Sequence, residues 1–124
     1  MPGVPAVRAL RGATTVDADT AEQVTERVQE LLLAIMERNG LAEEDVISIL
    51  FTATPDVVSM FPATAARGIG FADVPLIDAA QLPVAGATPR CIRVLLHVST
   101  PLHRRDMRHV YLHGAAGLRH DLVG

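Results

Sequence analysis

Two arginines lie where a cation is costly. Residues 6–16, AVRALRGATTV, place Arg11 on one strand face with Val7, Ala9 and Ala13. Residues 91–99, CIRVLLHVS, place Arg93 with Cys91, Leu95 and His97, opposite Ile92, Val94, Leu96 and Val98. A charge on such a face needs an anion to meet it. The guanidinium is permanently charged and offers a planar fork of donors, so two of them on rigid strands suit a small ligand bearing carboxylates. The competing reading is that each arginine pairs with an acidic side chain or extends to solvent.

A second constellation is LIDAAQLPV, residues 76–84, where Asp78 and Gln81 stand three positions apart in an apolar run. What the carboxylate and amide do depends on what the two arginines bind; taken alone, Asp78 would cap the turn that follows. Tyr111, the single tyrosine, could place a phenol on a bound oxygen, or pack in the core with its hydroxyl at the rim. The basic cluster from His103 to His109 follows Pro101 and reads as a solvated turn. His109 and His113 have the spacing of a helical metal pair, but the VYL between them reads as strand and no carboxylate completes a ligand set. Gly68 and Gly70 lack the remainder of a dinucleotide fingerprint. No metal and no cofactor is expected.

These residues must be held by a small set of elements. Strands are expected over 6–16, 46–54, 74–78, 91–99 and around Val110 to Leu112. The strand over 46–54 reads as buried on both faces. Val24, Val28, Leu31, Leu32 and Ile35 recur at helical spacing between Asp19 and Asn39, with Asp19 and Glu22 as a capping box and Gly40 as the stop. A helix of two turns should follow Pro62, and one more helical turn should lie near the end. The order predicts an α+β fold, a mixed five-stranded sheet packed on one long helix.

The totals narrow the function. With 124 residues, a single domain over 1–124 is expected. Hydrophobic residues reach 49% but aromatics only 3%, so aliphatic side chains build the core, and the excess favours burial between subunits. A formal charge of -3 argues against nucleic acid as partner. Cys91 is the only cysteine, which excludes an internal disulfide and fits a reducing cytoplasm. No apolar run approaches a membrane span, and the first residues show no signal peptide, so a soluble, unprocessed protein is expected.

RALRGATTV (8–16), FTATPDVVSMFPATAAR (51–67), VPLI (74–77), PRCIRVLLHV (89–98), RHVYL (108–112) and LRHDL (118–122) together resemble the monofunctional, trimeric AroH class of chorismate mutases. The resemblance implies a homotrimer of pseudo-α/β-barrel subunits, with active sites at the subunit interfaces. It also implies a cofactor-free intramolecular rearrangement of chorismate to prephenate, the branch step toward phenylalanine and tyrosine.

By the same resemblance, Arg93 matches the arginine that contacts the ether oxygen and a carboxylate, Arg11 that of the N-terminal RGA motif, and Tyr111 a tyrosine that orients a carboxylate. Ile77, Asp78, Ala79, Ala80 and Gln81 match the substrate-contacting loop. Phe61, Thr64 and Arg67 match pocket positions contributed partly by a neighbouring subunit, and Leu118 and Arg119 match a mobile C-terminal cover. Three departures stand out: Thr64 replaces a lysine of some members, Gln81 replaces the usual glutamate, and Asp78 replaces a cysteine or another small residue. The catalytic set implied is Arg93, Arg11, Asp78 and Gln81, with the carboxylate moved from position 81 to 78. Two other functions fit the altered loop: a mutase for a related enolpyruvyl ether such as isochorismate, and a silent trimer that binds a dicarboxylate.

Overall fold

The computed structural model describes residues 4–118. Its elements are β1 (Ala6–Thr15), α1 (Ala21–Arg38), β2 (Val46–Ala53), α2 (Pro62–Arg67), β3 (Leu76–Ala80), β4 (Cys91–Thr100) and β5 (Val110–Tyr111), with three short 3-10 turns. The five strands form a single sheet in the order β3-β2-β4-β1-β5. Central β4 runs antiparallel to β1 and β2, while β2–β3 and β1–β5 are parallel. The expected mixed, α+β architecture is present.

The long helix forms where the aliphatic spacing requires it. Val24, Val28, Leu31, Leu32 and Ile35 are fully buried against Leu10, Ile49, Phe51, Ile92 and Leu96. Each such side chain stabilises the fold by about 1.5–3 kcal/mol before entropy is counted. Gly40, at φ +61°, ends the helix in the left-handed conformation that a side chain disfavours.

The start of α1 differs from expectation. Thr20 is the cap, its hydroxyl accepting from Gln23 N at 3.2 Å. Asp19 instead reaches across the chain, accepting from Val58 N at 2.9 Å and Ser59 N at 3.1 Å. A capping residue must have its oxygen within reach of the first turn's free N–H groups, and Thr20 is the residue adjacent to it.

Gly12 lets α1 approach the sheet. A Cβ there would lie 2.9 Å from Ile35 Cδ1 and 3.0 Å from the Val110 carbonyl oxygen. Asn39, at the far end of α1, pins the chain before β5: its Nδ2 donates to Arg108 O at 2.9 Å and its Oδ1 accepts from Arg108 N at 2.8 Å.

Two strand expectations need correction. β3 spans 76–80, not 74–78, because Val74 closes a turn on Phe71 O and Pro75 has no N–H to donate. Pro75 contributes only its carbonyl, which accepts from Ile49 N. β2 is not buried on both faces: Ile49 and Phe51 point into the core, while Ile47 is exposed and Leu50 and Thr52 are half-exposed. Both helices pack on one side of the sheet; among the described residues the other face carries no helix and is covered only at its β5 end, by the turn His113–Ala115 and Leu118.

Candidate active site

The uncovered face carries the two arginines. Register pairs Arg11 with Leu95 and Ala13 with Arg93, which makes Arg11 and Arg93 diagonal neighbours on that face. Diagonal positions lie about 7–8 Å apart, within reach of long side chains. Neither arginine forms a salt bridge among the described residues, where the ion pairs are Arg27 with Asp17 and His113 with Glu30. Both are half-buried. Two like charges at diagonal positions repel, and an anion between them would relieve that repulsion.

A single row crosses all five strands on the same face: Ala79, Thr52, Arg93, Ala13, Tyr111. The small Ala13 separates the guanidinium from the phenol. The ladder continues past β3 with Gln81 N donating to Ala53 O at 2.9 Å, so alternation puts Gln81 on this face also. Among the described residues, the buried side-chain atoms without a hydrogen-bond partner are Gln81 Oε1, Arg93 Nε, Tyr111 Oη and Thr14 Oγ1. The first three lie on the uncovered face, whereas Thr14 faces α1. A buried polar group without a partner costs about 1–3 kcal/mol, and such groups collected on one face mark a site that a polar ligand completes.

Tyr111 does not reach the rim. It is buried in a small cluster with Ala13, Cys91 and Ala115, against which Leu118 packs. Burial raises the Cys91 thiol, an effect that the nearby Arg93 guanidinium opposes. A buried, protonated thiol is a poor nucleophile, which leaves Cys91 as support for Arg93. His109 is committed to the backbone: its Nδ1 accepts from Arg11 N at 2.9 Å.

A cavity of about 700 Å³ opens at the carboxyl ends of β2 and β3. Its lining includes Val58, Phe61, Thr64, Asp78, Ala79 and Ala80. Phe61 is 69% exposed and Val58 81%, an apolar rim that nothing in the described chain covers.

Asp78 occupies a different face from Gln81. Its register partner is Phe51, on the α1 side, and its Oδ1 accepts from Ala63 N at 3.0 Å in the first turn of α2. It therefore caps neither the turn after β3 nor any local segment; it caps a helix distant in sequence. Desolvation raises its carboxyl above the usual carboxylate range, opposed by the Ala63 N–H and by the charge of Arg67. No hydrogen bond to Oδ2 is present among the described residues, so one oxygen remains available to the cavity.

The structure thus brings the expected residues together in two groups. Arg11, Arg93, Tyr111 and Gln81 share the uncovered face. Phe61, Thr64, Asp78, Ala79 and Ala80 share the cavity. Ile77 belongs to the uncovered face, 63% exposed, and Arg67 ends α2 near Asp78. Arg119 lies outside the described residues. Sequence reasoning missed the corner formed by Thr54, Asp56 and Arg90, which joins the cavity wall to the start of β4. Its signal was the Thr-Pro-Asp turn directly after a strand.

Residues 7–122 match the family described as chorismate mutase type I. The chain is similar to chorismate mutase AroH of Thermus thermophilus, with 47% identity over 94% of this chain and 96% of that protein. It is similar also to chorismate mutase AroH of Bacillus subtilis, at 41% identity over 94% of this chain and 92% of the other. A solved structure of a chorismate mutase from Clostridium thermocellum superposes with a TM-score of 0.88 at 45% identity, covering 90% of this chain and 99% of that one.

Proposed function

This chain belongs to the chorismate mutase type I family, and from that membership we propose how its residues carry chorismate to prephenate. The reaction is an isomerisation within one molecule, in which the bond from carbon to the ether oxygen breaks ahead of the new bond between carbons. The enzyme must hold the compact conformer and meet the negative charge that grows on that oxygen. Donors fixed in advance at this position act more on the transition state than on the ground state, and so raise the rate.

Arg93 supplies those donors. The observation that carries this reading is its buried Nε, which has no hydrogen-bond partner among the described residues and lies diagonal to Arg11, a second guanidinium without a salt bridge among them, on the same sheet face. The two arginines and the Tyr111 hydroxyl receive the substrate's carboxylates and its ether oxygen. Asp78 keeps one oxygen on Ala63 N and offers the other to the ring hydroxyl, with the Gln81 amide as a second hydrogen-bonding group. Ile77, Ala79 and Ala80 line the loop side of the substrate, and Leu118 covers it.

Arg11, Arg93 and Tyr111 do not line the cavity, although Ala79 belongs both to it and to the Arg93 row, which supports a site assembled between subunits. The cavity of one copy, with Phe61, Thr64 and Arg67, closes over Arg11 and Arg93 of the next. Exposed Val7, Ile77 and Phe61 supply apolar surface for that contact. The assembly is a homotrimer in which residues 1–124 serve as one catalytic domain. Its setting is the cytoplasm; among the described residues no helix is long and apolar enough to cross a membrane.

Spectroscopic loss of chorismate with the purified protein tests the reaction, and the same assay with isochorismate tests the choice of ether. Preference for isochorismate would reassign the substrate, and inertness toward both would leave a silent dicarboxylate binder. Light scattering at micromolar concentration should give the trimer mass; a monomer refutes the assembly.

A further inference from the structure

Three strand ends converge two residues before Arg93. The Cys91 backbone is tied to Thr54 in both directions: Cys91 N donates to Thr54 Oγ1 at 3.0 Å and Thr54 N donates to Cys91 O at 3.0 Å. The Thr54 hydroxyl then donates to Asp56 Oδ1 at 2.5 Å. Both Asp56 oxygens accept from Arg90 N, at 3.1 and 3.0 Å. Arg90 holds the left-handed conformation, φ 46°, unusual for a residue with a side chain. Its backbone and side chain close on β1: Val16 N donates to Arg90 O and Arg90 Nε donates to Val16 O, each at 3.0 Å.

The corner determines where β4 starts. A strand whose pairing slips by one residue turns every side chain to the other face, and the corner fixes that pairing at the first residue of β4. Cys91, at that start, is buried on the same strand face two residues before Arg93, whose guanidinium charge acts on its thiol. On its other side the corner forms part of the cavity wall, through Thr54 and Pro55. The Thr54 hydroxyl and the Arg90 N–H hold the Asp56 carboxyl below the usual carboxylate range, so it is an anion at neutral pH.

We propose that Asp56 is a positioning residue for the rearrangement, holding Arg93 at its working depth through Thr54 and Cys91 and fixing the cavity wall to the same frame. The proposal rests on Arg93 being the donor to the ether oxygen. Asp56 touches no substrate. A guanidinium displaced by a fraction of an ångström still attracts a carboxylate but misses the oxygen whose charge develops only in the transition state. The loss therefore falls on kcat, with KM little changed.

Asp56→Ala and the gentler Thr54→Val, measured well below their melting temperatures, should each lower kcat by about tenfold or more while KM stays within about twofold. Thr54→Ser, which keeps the hydroxyl, should restore kcat. The deciding measurement is a double-mutant cycle with Arg93→Lys: once the guanidinium is gone, removing Asp56 or the Thr54 hydroxyl should change kcat by less than twofold. If Asp56→Ala fails to fold, Thr54→Val carries the cycle. Full multiplication of the two effects, or a lowered melting temperature with wild-type kcat, overturns the proposal and leaves the function of Arg93 intact. Near-normal turnover of Arg93→Lys overturns the reading on which it rests, and the proposal with it.

Discussion

The two faces of the sheet are built from alternate residues of the same strands, yet they meet opposite requirements. On the α1 side Leu10, Ile49, Phe51, Ile92 and Leu96 are closed against the helix with essentially no exposure. On the other side Arg11 and Arg93 stand without an acidic partner among the described residues, and Gln81, Arg93 and Tyr111 each keep a buried polar atom unpaired. One face is optimised for stability. The other holds buried polar groups without partners among the described residues, an arrangement that is costly as it stands and that the proposed ligand and neighbouring subunit would complete.

The contrast is broken most strongly at Arg93. Arg93→Lys should cost on the order of 3 kcal/mol or more in the barrier, because an ammonium cannot reproduce the planar fork at the same position. Its melting temperature should stay near that of the wild type. Turnover within a few fold of normal would make Arg93 structural and erase the difference between the faces.

Gly12→Ala addresses the helix side. The new methyl meets Ile35 Cδ1 at 2.9 Å and the Val110 carbonyl at 3.0 Å, an overpacking that should cost about 1–3 kcal/mol in denaturant unfolding. Because Val110 adjoins Tyr111, part of the strain passes into the opposite face and turnover should fall as well. Unchanged stability would mean that α1 can withdraw from the sheet without penalty.

Asp78 and Gln81 sharpen the comparison, since they occupy opposite faces three residues apart. If the carboxylate has taken over the role on the ring hydroxyl, Asp78→Asn should lower kcat about tenfold, the scale of one hydrogen bond to a charged group. Gln81→Ala should lower it less, and Gln81→Glu combined with Asp78→Cys should restore activity. Full turnover of Asp78→Asn with a slightly lower melting temperature would reduce Asp78 to the cap of α2.

The smallest effect is on pH dependence. Burial raises the Asp78 carboxyl, so between the ordinary aspartate value and the raised one the folded chain keeps a proton that the unfolded chain releases. Stability should therefore fall as pH rises through that window. Unfolding midpoints across it should decline less in Asp78→Asn than in the wild type; parallel curves would show that the shift has no energetic consequence.

Much of the scaffold was legible from periodicity. The aliphatic repeat from Val24 to Ile35 set the buried stripe of α1, and alternation around Arg11 and Arg93 put each on the face it occupies. Errors came where a choice was not local. Asp19 and Thr20 are equally good caps by type, and only the approach of residues 58 and 59 drew Asp19 away. Pro75 moved β3 toward its end, a shift that depends on which N–H groups β2 presents to it. The apolar run of β2 suggested two buried faces because hydropathy does not reveal whether a covering layer belongs to the same chain.

By itself the sequence determined which side chains alternate, which carry permanent charge and which motifs lie in which order, since these follow from covalent order and the repeats of strand and helix. Only the tertiary structure decided that β1 and β4 bring Arg11 and Arg93 to diagonal positions, that Asp78 reaches the first turn of α2, and that Asp56, Arg90 and Thr54 meet at the start of β4. Those contacts join residues far apart along the chain. Their pairing depends on strand order and register, which burial of the whole aliphatic face selects together and no local run of residues specifies.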